Sequence, residues 1–415
     1  MKFSVITPTH KKTEYLEPLY KSLLAQTHED WEWILWLNGE VEKKDVKWAN
    51  DPRVKVFRDK SDKTEVGYHK HKAFMIGEGE VLVELDHDDL LTRNCLEVLE
   101  GYFEDPEIGF VFSDNAKLHH QDNFVPYNTA MGWQHRKVSV GGKELWAPKT
   151  FPMTSHSASL IWFAPDHVRA WRTSVYREIG GHNQNLSILD DQELMMRTYL
   201  HTKVAQCPDV LYIYRIDGSN TWLERGKAIQ KGTLEMKDKW AQRLAERDAE
   251  LNGKLMVDVG GGLNPRPGYL TMDIRSTADY VCDLNGDWPL PDNSVGVLNA
   301  SHVLEHLKDP IHSMREIHRV LHHGGWAFID VPSTDGRGAW MDPTHVSYWN
   351  QNSFFYYTRK EQARFIDNED IRFQVATLKT HYPSEWWKQN HIPVTTAYLI
   401  AIKQDEPRFP GPLTI

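Results

Sequence analysis

Three aspartates directly behind a short apolar run form the most chemically distinctive segment of the sequence. Asp86, Asp88 and Asp89 occupy three of the four positions 86–89, shortly after the run Val81-Leu82-Val83. Like charges this close repel each other unless a cation lies between them. Carboxylates at a strand end suit Mg²⁺ or Mn²⁺, which bind through a few carboxylates and the phosphates of a substrate. The segment therefore predicts a metal site for a nucleotide diphosphate; the alternative is a solvated turn that caps a helix beginning near Thr92.

The elements around these acids alternate short apolar strands with helical stretches from residue 1 to about 115. This rhythm indicates βαβ units and a mostly parallel sheet. Ligands of such sheets bind outside the carboxyl ends of the strands. We therefore expect three segments to meet in one crevice, namely Thr7-Pro8-Thr9, Asn38-Gly39 and Asp86-His87-Asp88.

Length and composition narrow the classes of protein. With 415 residues the chain is long enough for about two or three domains. Its net charge of −10 and the lack of a Lys/Arg-dense block argue against nucleic acid as a partner. Cys95, Cys207 and Cys282 lack metal-ligand spacing, which excludes a structural zinc cluster and fits a reducing compartment. With neither a secretion leader nor an apolar run of the roughly 20 residues that a membrane span needs, a cytoplasmic protein is expected.

We expect two α/β domains joined by a helical connection. The first domain is predicted over residues 1–222. The charged stretch 223–252 has a helical composition with few breakers and is predicted to be a linker. After Gly253 a new α/β unit begins, with a strand at Leu255–Val259 followed by a glycine turn, and this second domain is predicted over residues 253–415.

Residues 1 to about 222 resemble an inverting family 2 glycosyltransferase of the GT-A fold. The motifs that carry the resemblance occur in the family's order, and together they are far more specific than any one alone. They are Val5-Ile6-Thr7-Pro8-Thr9, Glu80-Val81-Leu82-Val83-Glu84-Leu85-Asp86-His87-Asp88-Asp89, Ile179-Gly180-Gly181 and Asp190-Asp191-Gln192-Glu193-Leu194. The resemblance implies a nucleotide-sugar donor and a hydroxyl acceptor on a glycan or another molecule.

The resemblance also implies a role for each carboxylate. Asp86 would face the nucleotide ribose and the metal, Asp88 would bind the metal under the diphosphate, and Asp191 would be the general base. Mn²⁺ or Mg²⁺ neutralises charge on the leaving phosphate, while a carboxylate on the opposite face takes the acceptor proton. On its own, Asp190-Asp191 would be interpreted as a helix N-terminal pair favoured by the macrodipole. The nucleotide would be lined by Thr7, Pro8, Thr9 and Asn38.

Three departures from the family pattern concern the donor. Asn38-Gly39 stands where many members carry two aspartates that hold the nucleobase, so either Asn38 reads the base with a neutral amide or the nucleotide is not uridine. A UDP-sugar is still the favoured donor. Lys70-His71 replaces a frequent Arg-Asn pair, and Lys70 is expected to contact the diphosphate, although a solvated helix face explains the pair equally well. Asp217 stands near the place of a late metal-binding histidine and is a weaker metal candidate.

Residues 253 to about 360 resemble a class I methyltransferase of Rossmann-like fold that uses S-adenosylmethionine. A glycine turn lets the backbone approach the cofactor, and an acid at the end of the second strand accepts from its ribose hydroxyls, a role that Asp273 fits. The pattern implies Asp258, Gly260 and Gly262 at the cofactor and places Asp283 near the adenine. Its carriers are Val257-Asp258-Val259-Gly260-Gly261-Gly262, Asp273, Asp283-Leu284, Asn299-Ala300-Ser301-His302-Val303-Leu304-Glu305-His306 and Arg319-Val320-Leu321 to Gly324-Gly325-Trp326.

Histidines in the second domain allow a further interpretation. His302 and His306 are four residues apart on a predicted helix, which is a metal-ligand spacing. The favoured interpretation is a segment common in methyltransferases, since no third ligand is evident in the sequence. His345 is a candidate base on the acceptor side, or simply a polar loop residue.

Two catalytic domains in one chain suggest consecutive steps on one acceptor. The first would transfer a sugar with inversion, and the second would methylate a hydroxyl of the product glycan. The alternatives are a glycosyltransferase with a non-catalytic acceptor-binding module, a glycan-binding scaffold protein, and an enzyme that modifies a hydroxylated base in DNA. Acceptor contacts are expected in the loop over 116–160, where the candidates are Trp133, His135 and Trp146.

Overall fold

The computed structural model describes residues 1–10, 13–119, 126–217, 221–368 and 370–404. Residues 120–125, in the loop expected to contact the acceptor, lie outside this described part. The chain folds into two compact units, one made of Met1–Thr129 with Trp133–Trp240 and the other of Ala130–Gly132 with Ala241–Ile415. One helix, Thr221–Leu251, covers most of the segment predicted as a helical linker, while the linker role and the domain limits stay predictions.

The first unit contains a ten-stranded sheet. Its strands are β1 (Phe3–Thr9), β2 (Trp31–Leu37), β3 (Val54–Arg58), β4 (Val81–Glu84), β5 (Leu90–Leu91), β6 (Ile108–His119), β7 (His135–Val140), β8 (Lys143–Pro148), β9 (Arg169–Arg172) and β10 (Lys203–Ile216). The helices in this part of the chain are α1 (Leu16–Leu24), α2 (Val66–Ile76), α3 (Cys95–Phe103), α4 (Ser155–Leu160), α5 (Thr173–Glu178), α6 (Asp190–His201) and α7 (Thr221–Leu251). Single 3₁₀ turns lie at Thr13–Tyr15, Lys43–Asp45 and Thr129–Met131.

The sheet is mixed, and its first four strands along the chain are parallel to one another. Its order is β3-β2-β1-β4-β9-β6-β10-β5, and the β7–β8 hairpin joins β6 through β8. Strands β3, β2, β1 and β4 are parallel neighbours, β9 runs antiparallel between β4 and β6, and β10 is parallel to β6. Thr9 pairs with Leu37 and Ile6 with Glu84, so the segments after β1, β2 and β4 emerge at one edge.

Helices cover both faces of this sheet. Val5 and Val83 belong to a buried cluster with α1 and α3, whereas Ile6 and Leu82 belong to a cluster with α2 and α6. Successive residues of a strand point to opposite faces, so a strand covered on both sides is apolar throughout. This is why Trp31–Leu37, an almost continuous apolar run, is buried at every position.

The segment behind β4 does not form the helix cap that the alternative interpretation required. The short strand β5 follows the acids, and α3 begins only at Cys95. Asn94 occupies its N-cap position without a capping hydrogen bond of its own side chain, and Gln26 Oε1 accepts from the Leu96 amide in the first turn. The three aspartates are therefore not cap residues, and that interpretation of them is wrong.

The second unit contains a seven-stranded sheet. Its strands are β11 (Leu255–Val259), β12 (Leu270–Asp273), β13 (Tyr280–Val281), β14 (Val295–Ser301), β15 (Leu321–Pro332), β16 (Phe373–His381) and β17 (Val394–Ala401). Its helices are α8 (Pro310–Val320), α9 (Gly338–Met341), α10 (Gln351–Phe355), α11 (Lys360–Ala363) and α12 (Glu385–Gln389), with 3₁₀ turns at Leu304–His306 and Arg364–Ile366.

The order of the second sheet is β13-β12-β11-β14-β15-β17-β16. The five strands β13, β12, β11, β14 and β15 are parallel neighbours, and β17 is antiparallel to both of its neighbours. The chain reverses its direction of growth between β11 and β14, which is where open α/β sheets bind ligands. Residues 260–269 connect β11 to β12 through turns and contain no helix, so the glycine turn does not lead into a helix.

Within the described ranges, no helix has both the length and the apolar character needed to cross a membrane.

Candidate active sites

The strand ends that were predicted to converge at one edge of the first sheet are neighbours in the structure. Thr9 and Asn38 lie side by side at the ends of β1 and β2, and the main-chain N–H of Asn38 donates to the Thr9 carbonyl at 2.9 Å. Asp86 lies just beyond β4, the other neighbour of β1. The end of β1 is thus flanked by an amide side chain on one side and by acids on the other.

Asn38 has a polar atom that suits ligand binding. Its Oδ1 is buried and has no hydrogen-bond partner among the described residues. Gly39 must be a glycine, because a Cβ there would lie 2.1 Å from the His10 carbonyl oxygen. Thr7 behaves differently, since it is fully buried and its hydroxyl accepts a hydrogen bond from Trp33 Nε1 at 3.0 Å. Pro8 is half-buried at the same strand end.

The three aspartates behind β4 differ in their burial and in their hydrogen-bond partners. Asp89 is buried, and its carboxylate accepts from the Tyr212 hydroxyl at 2.9 Å and from the Arg215 amide at 2.7 Å. Burial and the charges of Asp88 and Asp86 raise the pKa of Asp89 well above its usual range. Asp86 and Asp88 are half-buried instead, so their carboxylates are the ones that a cation could reach.

His167 also lies at this acid turn, although no sequence motif pointed to it. Its Nε2 lies 3.6 Å from Glu84 Oε2 and 3.8 Å from Asp86 Oδ2. Burial and Arg169 lower the pKa of His167, but Asp166 and Glu84 outweigh them and raise it to about 9. Ligand atoms of Glu84, Asp86 and His167 all lie within 4.8 Å of one another, so this group could hold a metal ion.

Asp191, the predicted base, lies in a buried network of ion pairs. Lys70 Nζ contacts Asp191 Oδ1 at 2.8 Å and Glu84 Oε1 at 2.6 Å. Arg169 Nη1 contacts Asp191 Oδ2 at 2.8 Å and Glu84 Oε2 at 3.3 Å. Each oxygen of Asp191 therefore faces a cation. The expected contact of Lys70 with a diphosphate stays a prediction, since the structure directs its ammonium to these carboxylates.

Asp190 and Asp191 occupy the first turn of α6 but differ in charge. Burial raises the pKa of Asp191, but Lys70 and Arg169 outweigh burial and keep it well below the usual range. Burial and then the charge of Asp191 raise the pKa of Asp190 to about 8. At neutral pH Asp191 is thus ionised and Asp190 largely protonated. Asp191 is also the accessible one, with 26% of its side chain exposed against 7% for Asp190.

Other candidates of the first unit are placed as follows. Asp217 accepts a hydrogen bond from the Tyr15 hydroxyl at 3.0 Å. Trp133 packs against Phe151 and Phe163, with ring centroids 4.4 and 5.6 Å away. His135 Nε2 accepts from the Tyr127 amide at 3.1 Å. Trp146 is exposed, and the Lys137 ammonium lies 5.3 Å from the centre of its ring.

In the second unit, the glycine turn contacts two aspartates at the carboxyl end of β11. Gly262 donates its amide to Asp273 Oδ2 at 3.0 Å, and a Cβ on Gly262 would lie 2.7 Å from Asp273 Cγ. A Cβ on Gly261 would lie 2.3 Å from Asp258 Oδ2, which accepts from the Arg266 amide at 3.0 Å. Gly260 has a φ of +75°. Glycine thus permits the left-handed backbone at position 260 and the close approach of the two acids at positions 261 and 262.

Asp273 and Asp283 both retain acceptor capacity for a ligand. Asp273 Oδ1 accepts only from the Arg275 amide among the described hydrogen bonds, at 2.9 Å. Asp283 is exposed, and its Oδ1 accepts from the amide and the side chain of Asn285. Apolar side chains nearby in the sequence are strongly exposed: Leu263, Ile274 and Val281. Hydrogen-bond acceptors beside exposed apolar surface match the two chemical faces of an adenosine.

The histidines behind β14 differ from the helical arrangement that their spacing indicated. His302 has a φ of +54° and lies outside any helix, and only Leu304–His306 forms a 3₁₀ turn. The predicted helix is therefore wrong at this segment. His345 instead lies beside His306, with ring centroids 5.0 Å apart.

Comparisons with known proteins agree with both halves of this description. Residues 4–180 match the family described as Glycosyl transferase family 2, and residues 262–329 match a family described as Methyltransferase domain. Glycosyltransferase GlyG of Streptococcus pneumoniae serotype 4 (strain ATCC BAA-334 / TIGR4) is 24% identical over 289 residues, which cover 67% of this chain and 89% of GlyG.

Two solved structures are also similar to the chain. S. aureus TarS aligns at 19% identity with a TM-score of 0.43, covering 60% of this chain and 43% of TarS. The mannosyltransferase PcManGT from Pyrobaculum calidifontis, in complex with GDP-Man and Mn²⁺, aligns at 14% identity with a TM-score of 0.40, covering 61% of this chain and 76% of that protein.

The family matches confirm the predicted fold classes. The first unit carries a glycosyltransferase domain of the GT-A type, and the second carries a methyltransferase domain on its Rossmann-like sheet. The prediction that the chain is a transferase is likewise confirmed.

Proposed function

Because a family 2 glycosyltransferase domain and a methyltransferase domain share this chain, we propose that it is a bifunctional enzyme. The first unit transfers a sugar with inversion from a nucleotide sugar, with a UDP-sugar as the favoured donor, to an acceptor hydroxyl. The second unit methylates a hydroxyl of the product glycan. Joining two activities in one chain raises the local concentration of the shared intermediate.

One observation carries the first half of this proposal, the convergence of Asn38 and the acid turn on either side of β1. The buried Asn38 Oδ1 without a partner would accept a hydrogen bond from a nucleobase N–H. Asp86 on the other side would meet the ribose and the metal. A nucleoside diphosphate has these same two ends, a base with hydrogen-bond donors and a charged diphosphate that needs a cation.

The donor set at the acid turn suits Mn²⁺ or Mg²⁺. Asp86 and Asp88 provide accessible carboxylates, and their charges already help to raise the pKa of Asp89, which a bound cation would counteract. We propose Asp86 and Asp88 as ligands, with His167 within reach of Asp86. The ion would neutralise charge on the departing diphosphate as a Lewis acid.

Asp191 is the proposed general base. The acceptor oxygen bonds to the anomeric carbon as the bond from that carbon to the diphosphate oxygen breaks, and the hydroxyl proton goes to the Asp191 carboxylate. Ionisation of Asp191 supports this role, but its two cationic partners make it a weak base. A diphosphate that draws Lys70 away would strengthen the base, which would couple donor binding to proton transfer.

The second unit suits S-adenosylmethionine at the carboxyl end of β11. Asp273 would accept from the ribose hydroxyls, Asp283 would lie at the adenine, and Gly260 to Gly262, together with Asp258, would shape the turn around the cofactor. The exposed Ile274 directly after Asp273 would cover a face of the adenosine. The cofactor supplies a methyl group on a positively charged sulfur, which a nucleophilic hydroxyl can accept.

The test is a thermal-unfolding panel of the purified chain with UDP, GDP, dTDP and CMP, each with and without Mn²⁺, and with S-adenosylmethionine. A ligand at about 100 times its dissociation constant adds about 2.7 kcal/mol to the free energy of unfolding, which is readily visible. We expect one nucleotide to stabilise the chain only with Mn²⁺, and the cofactor to add an independent shift. Absence of any nucleotide response at saturation would contradict the proposed glycosyl transfer.

Methyl transfer needs its own control, because the second unit could bind the acceptor without catalysis. Asp273→Ala should abolish transfer of a labelled methyl group and leave sugar transfer intact. Labelled methyl that never reaches any glycan product with the unsubstituted chain would favour the non-catalytic module. The three free thiols support a reducing compartment, the cytoplasm, as the place of both reactions.

A further inference from the structure

A second group of potential metal ligands lies in the methyltransferase unit, apart from the acid turn of the first. Glu305, His306 and His345 each offer one ligand atom, and these atoms all lie within 4.8 Å of one another. Glu305 and His306 end a 3₁₀ turn just beyond the carboxyl end of β14, and His345 comes from the loop after α9. The sequence spacing pointed instead to His302 with His306, and His345 was a candidate base rather than a candidate ligand.

Backbone carbonyls fix the orientation of both imidazoles. His306 Nδ1 lies 3.2 Å from the Thr344 carbonyl oxygen, and His345 Nδ1 lies 3.0 Å from the Ala339 carbonyl oxygen. Thr344 Oγ1 also lies 3.1 Å from His306 Nδ1 but donates its own proton to Asp342 Oδ1, so it too accepts from the ring. A carbonyl only accepts, so each Nδ1 donates, and in the neutral imidazole each Nε2 then keeps its lone pair. This is the arrangement by which proteins orient histidines that bind metals through Nε2.

Glu305 supplies an independent sign that a cation belongs here. The residue is only 2% exposed, yet its Oε2 has no hydrogen-bond partner among the described residues. Its Oε1 lies 3.5 Å from His302 Nδ1. A buried carboxylate oxygen without a partner is costly, and a metal ion would remove that cost. The Glu305 carbonyl also accepts from the amides of Val346 and Ser347, which ties the His345 loop to this position.

We propose that Glu305, His306 and His345 bind a divalent transition metal such as Zn²⁺. Two imidazoles and one carboxylate are a donor set that such metals favour, and three protein ligands leave a coordination position open. Resting on the proposed methyl transfer, we assign that position to the sugar hydroxyl that accepts the methyl group. A hydroxyl bound to a divalent metal is more acidic and would lose its proton to solvent more readily. Its oxygen would then bond to the methyl carbon as the bond from that carbon to sulfur breaks, which releases S-adenosylhomocysteine.

An aromatic surface beside this group suits a sugar ring. Trp340 and Tyr348 lie a few residues before and after His345, and their rings stack with centroids 4.4 Å apart. They are 60% and 48% exposed, although aromatic side chains of this size are usually covered. Aromatic faces offer apolar surface to the C–H face of a sugar while its hydroxyls point to polar partners. Trp340 and Tyr348 would thus position the ring, and the metal would select the hydroxyl.

The binding test uses the full chain with Asp88→Asn, which removes a proposed ligand of the other metal site. After dialysis against Zn²⁺, we expect about one bound metal ion per chain by elemental mass spectrometry. His306→Gln, His345→Gln and Glu305→Gln should each weaken Zn²⁺ binding by at least about tenfold. His322→Gln is the matched control, because His322 lies at the amino end of β15, the opposite end of the sheet. Unchanged Zn²⁺ binding by the His306 and His345 variants would overturn the proposal.

A second measurement covers the case in which a variant does not fold. Co²⁺ replaces Zn²⁺ in the unsubstituted site, and its paramagnetism shifts the NMR signals of ligand protons far from all others. We expect one solvent-exchangeable shifted signal from each imidazole, because the geometry leaves a proton on each Nδ1. Absence of such signals with bound Co²⁺ would contradict coordination through Nε2.

The acceptor role is tested separately from metal binding. Saturation-transfer NMR with methyl glycosides of glucose, galactose and mannose, in the presence of S-adenosylhomocysteine, should show binding that requires Zn²⁺ and is lost in Trp340→Ala. Metal binding without any methyl transfer would contradict the proposed function and leave the metal site standing. Methyl transfer at an unchanged rate after complete removal of Zn²⁺ would contradict the role of the metal toward the acceptor.

Discussion

At the first sheet the proposed base, Asp191, is held by cations, whereas at the second sheet Asp273, the proposed partner of the ribose, is held by backbone amides. Asp191 faces Lys70 and Arg169, which reach it from α2 and β9. Asp273 is held by the amides of Gly262 and Arg275, which are close to it in the sequence. The first arrangement adjusts proton affinity through long-range contacts, while the second fixes a position for hydrogen bonding.

The difference agrees with the separate roles proposed for the two carboxylates. Cations beside a carboxylate stabilise its charged form, so the surroundings of Asp191 suit the acid–base role proposed for it. Amides and glycines set shape with little change in net charge, so the second edge suits recognition of a ligand's hydroxyls and rings. Four predictions, from the largest expected effect to the smallest, test this contrast.

Asp191→Asn should lower the rate of sugar transfer by about 10³-fold, because it removes the proton acceptor while keeping the size of the side chain. Asp190→Asn is the matched control. Its carboxyl is largely protonated at neutral pH already, so we expect most of the sugar-transfer rate to remain. Rates are measured at saturating donor and Mn²⁺. Equal losses in the two variants would mean that the charge of Asp191 is not what matters.

His167 should make the stability of the first unit depend on pH in alkaline solution. Its pKa in the folded protein, about 9, exceeds the ordinary value of 6.5. The resulting stabilisation is complete below pH 6.5 and is lost as pH rises through 9. We expect the free energy of unfolding to fall by up to about 3 kcal/mol over this interval.

The measurement for His167 is denaturant unfolding of the wild type and of His167→Gln at several pH values, with EDTA present. Subtracting the two profiles removes the contributions of other titrating groups. The variant should lose stability less steeply between pH 6.5 and 9. Parallel profiles would show that Asp166 and Glu84 do not stabilise a charged His167.

Gly262→Ala should weaken binding of S-adenosylmethionine by at least about tenfold, or about 1.4 kcal/mol. The new Cβ would lie 2.7 Å from Asp273 Cγ, so the carboxylate must move away from the position proposed for the ribose. Gly286→Ala is the control, since a Cβ there makes only an ordinary contact at 3.6 Å. Calorimetric titration measures the affinity of both variants for S-adenosylmethionine. Unchanged affinity of the Gly262 variant would argue against this turn as the cofactor site.

Asn38→Ala should have the smallest effect, about a fivefold loss of donor affinity, because one neutral hydrogen bond contributes about 1 kcal/mol. The main-chain link to Thr9 is kept, since it uses the Asn38 amide. Titration with nucleoside diphosphates in the presence of Mn²⁺ measures the effect. A loss that is identical for uridine, guanosine and cytidine nucleotides would show that Asn38 does not distinguish the base.

The parts of both sites that follow strand ends could be predicted from the sequence. Asn38, Asp86 and Asp273 each lie at or just beyond the carboxyl end of a strand, and parallel sheets bring such positions to one edge. The run Gly260 to Gly262 also predicted a tight turn with little room for side chains. These signals are local, because strand, turn and acid are neighbours in the chain.

The partners of these residues could not be predicted, because contacts distant in sequence carry no spacing signal. Lys70 and Asp191 are 121 residues apart, and only the packing of α2 near α6 brings them together. His167 reaches the acid turn from the segment before β9, and His345 reaches His306 from a separate loop. Spacing was misleading for His302, because a left-handed backbone at that residue interrupts the predicted helix.

The absent helix between β11 and β12 has a consequence for the behaviour of the second unit. With only turns over residues 260–269, the apolar side chains Leu263, Ile274 and Val281 stay in water. A bound adenosine would cover this surface. It would thus bury apolar side chains that a packed helix buries in a complete βαβ unit. The unliganded unit would then be locally incomplete, and amide hydrogens of β12 and β13 would exchange with solvent faster until the adenosine binds.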